Sequence, residues 1–202
     1  MSHASSSSSL ATVSSDFVED WIAALRTCCS EEQLDAFLRR SGMGGRIADR
    51  PHRITLDQIV RLYQIAAVET GDEMMGLWSR PIRARALQHL LTTVREATSL
   101  PAALYRFSTF WNLLLDDFRF EISEHPPLVH LRLVEFEGIQ AQRFGHMLIL
   151  KLAHGLLSWL AGQEVPVATV RFAFERPSFA ADYAVIFPAQ IEFGAESSAI
   201  SF

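Results

Sequence analysis

The chain has 202 residues, of which 49% are hydrophobic and 20% are charged, and its formal net charge is −5. This composition excludes a wholly disordered chain and supplies enough apolar residues for one globular core. The negative charge makes the chain a poor ligand for nucleic-acid phosphates, so we expect no sequence-specific DNA binding by this chain alone.

The sequence favours a cytoplasmic protein that does not bind membranes. Residues 1–15 are serine-rich and lack the basic and apolar regions of an export signal, so we expect a disordered tail there. The adjacent Cys28 and Cys29 could bridge only in a strained ring and are expected to be reduced thiols. The apolar run 144–162 contains Lys151, which is costly inside a bilayer, so the run predicts a buried or interface helix.

Five helical patterns precede the first strand pattern. They begin near Asp16, after Ser30, after Thr55, near Arg85 and after Ser99. Two of them have the spacing of a capping box, in which a Ser or Thr side chain and a Gln side chain bond each other's backbone N–H groups: Ser30 with Gln33, and Thr55 with Gln58. Gly42 and Gly71 are expected to end these two helices. The basic, glycine-rich stretch 39–53 between them predicts a solvated connector.

Apolar residues at i, i+3 and i+4 spacing predict which face of each helix is buried. In the first helix the predicted face is Phe17, Trp21 and Leu25. The helix after Thr55 is predicted to bury Leu56, Ile59, Val60, Tyr63, Ala66 and Ala67. The helix near Arg85 is predicted to bury Leu87, Leu90, Leu91 and Val94. The helix after Ser99 is predicted to bury Leu104, Phe107, Phe110, Trp111 and Leu114.

The hydrophobic period then changes from 3.6 to 2, which is typical of strands. Two alternating runs around Pro126-Pro127 predict a hairpin, and a long helix over about 139–161 follows and ends at Gly162. Further strands are predicted near 169–174, 191–193 and 200–202, with a short helix capped by Ser178. The pattern predicts an α+β fold in which a helical layer packs on a small antiparallel sheet, with a long central helix.

Most catalytic motifs are absent from the sequence. It contains no phosphate-binding P-loop, no nucleophile elbow and no zinc-protease helix motif. The adjacent Asp116 and Asp117 are expected to point apart, as part of a turn and a solvated rim rather than as an acid/base pair. We therefore expect no enzyme activity and no catalytic residues.

The histidines do not predict a metal or cofactor site. His125 and His130 flank the Pro-Pro turn, but no third ligand accompanies them, and zinc needs three or four. His146 and His154 lie about two turns apart on the long helix. We interpret them as interior or interface histidines with hydrogen-bond partners, and a proximal haem ligand is the alternative.

Several polar and aromatic residues interrupt otherwise aliphatic patterns, as is typical of a small-molecule pocket. The candidate ligand-binding residues, expected to lie between the helical layer and the sheet, are Trp78, Arg80, Tyr105, Trp111, Asn112, His146 and Arg171. Arg80 suits a carboxylate-bearing effector through bidentate pairing, and its alternative is a surface arginine. The aromatic stripe after Ser99 is also consistent with an ordinary core.

Two parts of the chain carry a family resemblance. The first consists of Leu56–Asp72 with Gly76-Leu77 and of Ser99–Leu104, which opens a helix. The second consists of residues 170–177, Tyr183, Phe187, 191–195 and 198–202. Over about residues 16–202 the chain resembles the N-terminal effector domain of AraC-type transcriptional regulators. The subgroup is the arabinose-binding-like one of ornithine-utilisation-type regulators, which differs from the cupin domain of the arabinose regulator.

The resemblance implies that residues 16–202 are a ligand-sensing and dimerisation domain of a bacterial regulator. A small-molecule effector would control a C-terminal DNA-binding domain of two helix-turn-helix motifs, which we expect to be absent from this chain. DNA would be contacted only through that domain. Two other functions stay open at this point: a stand-alone haem or gas sensor, and a dimerisation module that binds no ligand.

The long helix is expected to form a homodimer because it is apolar on more than one side. The apolar residues on it are Met147, Leu148, Ile149, Leu150, Leu152, Leu156, Leu157, Trp159 and Leu160. Alternatively, the first two helices, around Trp21 and Phe37, cover the helix within one chain. A charge at Leu156 or Leu160 is expected to split a dimer if the position is at an interface, and to unfold the domain if it is in the core.

Overall fold

The computed structural model describes residues 11–44, 53–139 and 142–202, and it confirms the predicted α+β fold. The helices in these residues are α1 (Ser15–Cys28), α2 (Glu31–Ser41), α3 (Leu56–Thr70), α4 (Ala86–Arg95), α5 (Leu100–Leu114), α6 (Arg143–Ala161) and α7 (Tyr183–Ile186). The strands are β1 (Thr12–Ser14), β2 (Arg53–Thr55), β3 (Phe118–His125), β4 (Leu128–Glu135), β5 (Thr169–Phe172), β6 (Gln190–Phe193) and β7 (Ser198–Ser201).

The main sheet has the strand order β3-β4-β7-β5-β6, and β1 pairs separately with β2. The predicted hairpin is confirmed, with Phe118 opposite Glu135 and His125 opposite Leu128. The sheet is antiparallel as predicted, except for the parallel pair β5–β6 at one edge. A parallel pair needs a crossover, and here the crossover contains a 3-10 turn, Ala180–Asp182, followed by α7.

Local helix signals in the sequence are confirmed. Both capping boxes are present, Ser99 caps α5, and Gly42 and Gly71 end their helices with φ of 82° and 69°. The long helix α6 begins at Arg143, later than predicted, and ends at Gly162. The short helix after Ser178 differs from its prediction, because its first part is a 3-10 turn that Ser178 does not cap.

Two predicted helix faces are partly wrong. In α3 the buried residues are Leu62 and Ala66, whereas Val60 is 51% exposed. In α4 Leu90 and Val94 are buried, whereas Leu91 is 42% exposed. α3 packs against α2, and α4 packs against α5. Each helix therefore buries a stripe narrower than its apolar surface.

The predicted tail boundary is also wrong, because residues 11–15 are part of the fold. Strand β1 pairs with β2, and Asp182 accepts hydrogen bonds from the Ser14 N–H at 2.9 Å and the Ser14 hydroxyl at 2.6 Å. Arg53 in β2 pairs with the same carboxylate at 3.1 Å. Of the predicted connector 39–53, its first three residues continue α2 and Arg53 begins β2. Residues 1–10 and 45–52 lie outside the described residues.

Helix α6 is the central core helix. It packs against α1, α5 and β7, and the ring of Trp21 in α1 stacks on Phe144 at 5.0 Å. Leu156 is 4% exposed, so the fold of one chain already covers this residue. Of the two helices that the alternative to the dimer invokes, α1 packs on α6. By length and composition α6 could cross a membrane, but 56% of its most apolar window is buried inside this fold.

Candidate functional site

The predicted aromatic site residues do not share a pocket. Trp78 and Trp111 are 6% and 0% exposed, and the Trp78 ring packs against Phe118 at 4.8 Å, so both indoles belong to the core. Tyr105 is 66% exposed. Six positions along α5 separate Tyr105 from Trp111, which turns their side chains by roughly 120° about the helix axis.

The predicted arginines lie on the surface. Arg80 forms an ion pair with Asp116, and Arg171 forms one with Glu192 at 3.0 Å. All four side chains are between 42% and 64% exposed. Both guanidinium groups are therefore engaged by surface carboxylates, which fits the surface alternative for Arg80.

The two adjacent aspartates have different environments. Asp116 is solvated, whereas Asp117 is 4% exposed and accepts hydrogen bonds from the Ser79 N–H at 2.8 Å and the Ser79 hydroxyl at 2.9 Å. The prediction that Asp117 is part of a solvated rim is therefore wrong. Its carboxylate holds the loop before α4 against the start of β3.

Asn112 has a structural role at the edge of the sheet. Its amide oxygen accepts the Phe120 N–H at 2.6 Å, and its amide nitrogen donates to the Phe120 carbonyl at 3.0 Å. Because β3 is an edge strand, these backbone groups would otherwise be open to another strand. The side-chain amide of Asn112 thus occupies the backbone groups of the sheet edge at Phe120.

His146 is the one predicted site residue that lines a large cavity among the described residues. Two adjoining cavities, of about 560 Å³ and about 320 Å³, share Glu135, His146 and Ala173. We call them together the His146 cleft. The larger one is lined by α1, the end of β4, the first turn of α6 and the segment after β5: Asp20, Ala23, Glu135, Gln142, Arg143, His146, Ala173, Phe174 and Glu175.

A hydrogen-bond relay fixes the His146 ring. Nε2 lies 2.9 Å from the Glu135 carboxylate, which accepts only, so Nε2 carries the proton. Nδ1 then accepts a hydrogen bond from the Ser198 hydroxyl, with 2.7 Å between Nδ1 and Oγ. The Ser198 Oγ in turn accepts a hydrogen bond from the Ala173 N–H at 3.0 Å. Ser198 is fully buried, so this relay orients the ring and presents no accessible nucleophile.

The remaining polar groups of the cleft come from α1 and the start of α6. Arg143 makes a bidentate pair with Asp20, at 2.7 Å and 2.9 Å, and this bond raises the pKa of Arg143. Gln142 is the N-cap residue of α6, but its side chain does not cap the helix. Within the described ranges no donor reaches the buried Gln142 Oε1. The cleft thus contains a fixed ion pair and, behind its surface, one buried acceptor without a partner among the described residues.

Comparison with known proteins identifies the family. Residues 33–202 match the family model of the N-terminal arabinose-binding domain of AraC transcription regulators. The chain belongs to this family. No curated protein matches the chain closely enough to be called similar. The family is a regulatory ligand-binding family and not an enzyme family.

Sequence reasoning missed most of the cleft of this AraC-type domain. Asp20, Glu135 and Glu175 are far apart in the sequence, and no local spacing links them. Arg143 and His146 are three residues apart, which places them on one face of α6, and this was the only sequence signal available.

Three further histidines of this AraC-type domain, His125, His130 and His154, also have protein partners. His125 and His130 pack with their ring centres 5.4 Å apart, and His130 bonds the Ser201 hydroxyl. His154 Nε2 donates to the Val165 carbonyl at 3.0 Å. Within the described residues no three His, Cys, Asp or Glu side chains are grouped to hold a metal ion. Haem ligation by His146 or His154 Nε2 would break existing hydrogen bonds.

We expect the free energy of unfolding to decrease as the pH falls below about 6.5. Burial lowers the pKa of both His154 and His130. The unfolded chain, with ordinary histidine pKa values, therefore binds more protons than the folded chain in this window, and acid favours unfolding. Urea unfolding at about pH 7.5 and about pH 5.5 measures the effect. The His154→Gln variant should lose less stability over that interval, and an equal loss in both proteins contradicts the assignment to His154.

Proposed function

We propose that this chain is the effector-sensing domain of an AraC-type transcriptional regulator, and that the His146 cleft binds a small organic effector. The observation that carries the proposal is the position of the cleft. It lies where α1, the first turn of α6 and the ends of β4 and β5 meet. A ligand there contacts several elements at once, so it can favour one packing of those elements over another.

In the full-length regulator, we propose that effector binding controls a C-terminal helix-turn-helix domain in the bacterial cytoplasm. We also propose that the regulator is a homodimer, because proteins that read paired DNA half-sites are commonly two-fold symmetric. Sedimentation of the chain at micromolar concentration tests the dimer, and a clean monomer mass contradicts it for this domain.

Filling the cleft is the direct test of the effector site. Ala23 lies on the exposed side of α1 and lines the larger cavity, so Ala23→Trp should occupy the cleft without disturbing the core. The probes are amino acids, amines, sugars and carboxylic acids, screened by thermal shift. A compound at 100 times its Kd adds about 2.7 kcal/mol, or roughly 5–10 °C in a chain of this size.

The matched control places the same tryptophan at Ala161, an exposed residue at the far end of α6. Any compound that stabilises the wild-type chain through the cleft should stabilise Ala161→Trp equally and should not stabilise Ala23→Trp. Equal stabilisation of all three proteins, or no stabilisation by any probe, contradicts the proposed site.

A further inference from the structure

The C-terminal end of α1 brings two thiols together. Cys28 is exposed and Cys29 is half-buried. The Cys28 Sγ donates to the Leu25 carbonyl at 3.4 Å, and the Cys29 Sγ donates to the same oxygen at 3.0 Å. Both sulfur atoms therefore lie around one carbonyl oxygen. We call this pair of side chains the Cys28–Cys29 dithiol.

The surroundings of the Cys28–Cys29 dithiol favour protonated thiols. Partial burial, then the neighbouring Cys29 and Asp72, raises the pKa of Cys28 to about 11. Partial burial and Glu31 also raise the pKa of Cys29. The negative end of the α1 dipole acts in the same direction. Arg26, the basic residue of this turn, is engaged by Glu31 at 3.1 Å and does not offset these effects.

The Cys28–Cys29 dithiol is poorly suited to redox chemistry. Oxidation begins from the thiolate, and a thiol with a pKa of about 11 is almost wholly protonated at neutral pH. A disulfide between adjacent residues also closes a strained ring. A ring in which one further atom bridges the two sulfurs is larger and relieves that strain. The geometry therefore favours a bridging atom over a sulfur–sulfur bond.

The charges around the dithiol disfavour a metal cation as that bridging atom. Zinc needs three or four protein ligands, and within residues 11–44, 53–139 and 142–202 no three His, Cys, Asp or Glu side chains are grouped to hold a metal ion. A monovalent soft cation such as Cu(I), bound by two thiolates, leaves a net negative charge that Asp72 and Glu31 penalise. The bridging group that fits is one that gives an uncharged complex.

We propose that the Cys28–Cys29 dithiol binds a trivalent arsenical, R–As(OH)₂, in which R is an organic group. Each S–H bond breaks as an arsenic–sulfur bond forms, and each thiol proton leaves with an arsenic-bound hydroxide as water. Arsenic stays trivalent, so the step consumes no oxidant or reductant. The complex is uncharged, and because the hydroxides take the protons, binding does not require free thiolates in advance.

This site is distinct from the effector site proposed above. Cys28 lies five positions after Ala23, which lines the His146 cleft. Five positions turn the side chain by roughly 140° about the axis of α1. The two sites therefore face different sides of one helix, and the test of the dithiol does not depend on the effector.

Native mass spectrometry with phenylarsine oxide, which hydrates to R–As(OH)₂ with a phenyl group as R, is the direct test. We expect one phenylarsenic group per wild-type chain, with both arsenic hydroxides lost. Cys28→Ser and Cys29→Ser keep a donor for the Leu25 carbonyl, and circular dichroism checks that they fold. Each variant has one thiol, so its adduct should retain one hydroxide and gain the mass of one more water. Retention of a hydroxide by the wild-type adduct overturns the proposal.

Competition with glutathione, a monothiol, measures the contribution of the second sulfur. Two linked ligands raise the overall affinity by about 10²–10⁴-fold, so half-displacement of the phenylarsenic group should need at least about 100-fold more glutathione in the wild-type chain than in either serine variant. A dithiol such as 2,3-dimercaptopropanol should remove the group from the wild-type chain. Displacement by the same glutathione concentration in all three proteins overturns the proposal.

Hydrogen peroxide tests whether the pair is a redox switch instead. At the concentration at which the arsenical binds fully, peroxide should leave both wild-type thiols free to react with a thiol reagent. Rapid formation of a Cys28–Cys29 disulfide, seen as the loss of two hydrogens from one chain, would overturn the preference for a bridging atom and identify a redox pair.

Discussion

Replacing Asp72 by alanine is expected to lower the free energy of unfolding by about 4 kcal/mol. Asp72 is 3% exposed, and its carboxylate accepts the backbone N–H groups of Met74 at 2.9 Å, Gly76 at 2.8 Å and Ile82 at 2.8 Å. Its loss leaves three donors without their acceptor. Each hydrogen bond to a charged group contributes about 1.5–3 kcal/mol, and partial relaxation of the loop reduces the sum.

The loop around Asp72 has little room to adjust. Met75 and Gly76 both have left-handed backbone conformations, with φ of 53° and 75°. A Cβ on Gly76 would come within 2.6 Å of the Ala24 carbonyl oxygen, so the loop packs tightly on α1. Loss of the carboxylate therefore affects the contact between this loop and α1 as well as the loop itself.

Urea unfolding of Asp72→Ala measures the loss, with Asp116→Ala as the matched control. Asp116 is 64% exposed and forms an ion pair with the exposed Arg80, so its removal should cost less than about 1 kcal/mol. Similar small losses in both variants would contradict the role assigned to Asp72.

The parts of the fold that were predictable from sequence depend on neighbouring residues. In each capping box, at Ser30 and at Thr55, the hydrogen bonds join residues three positions apart. The hairpin at Pro126-Pro127 pairs two strands that are adjacent in the sequence. These features require no knowledge of the tertiary structure. For this reason the starts of α2 and α3, the hairpin and the fold class agree with the structure.

The site was less predictable because burial and proximity are tertiary properties. The sequence shows that Trp111 is aromatic but not that the whole indole lies in the core, and it shows that Asn112 is polar but not that it occupies the edge of β3. The His146 relay joins Glu135 and Ser198, which are 63 positions apart in the sequence. Only the folded chain brings these groups together.

Leu156→Asp is expected to prevent stable folding of the single chain. The side chain of Leu156 is 4% exposed and lies on the face of α6 that the rest of the chain covers. Truncating a buried leucine costs about 2–5 kcal/mol, and burying an unpaired carboxylate adds several more. The total approaches the whole stability of an ordinary domain, about 5–15 kcal/mol.

Trp159→Asp is the control on the same helix. Trp159 is 55% exposed, so its replacement should change the free energy of unfolding by about 1 kcal/mol or less. Circular dichroism during urea unfolding, combined with sedimentation, distinguishes the two possible roles of Leu156. Loss of the cooperative transition in Leu156→Asp but not in Trp159→Asp places Leu156 in the core of one chain. A folded Leu156→Asp protein with half the wild-type mass would instead place Leu156 at a dimer interface, because only there can water solvate the new charge once the partner leaves.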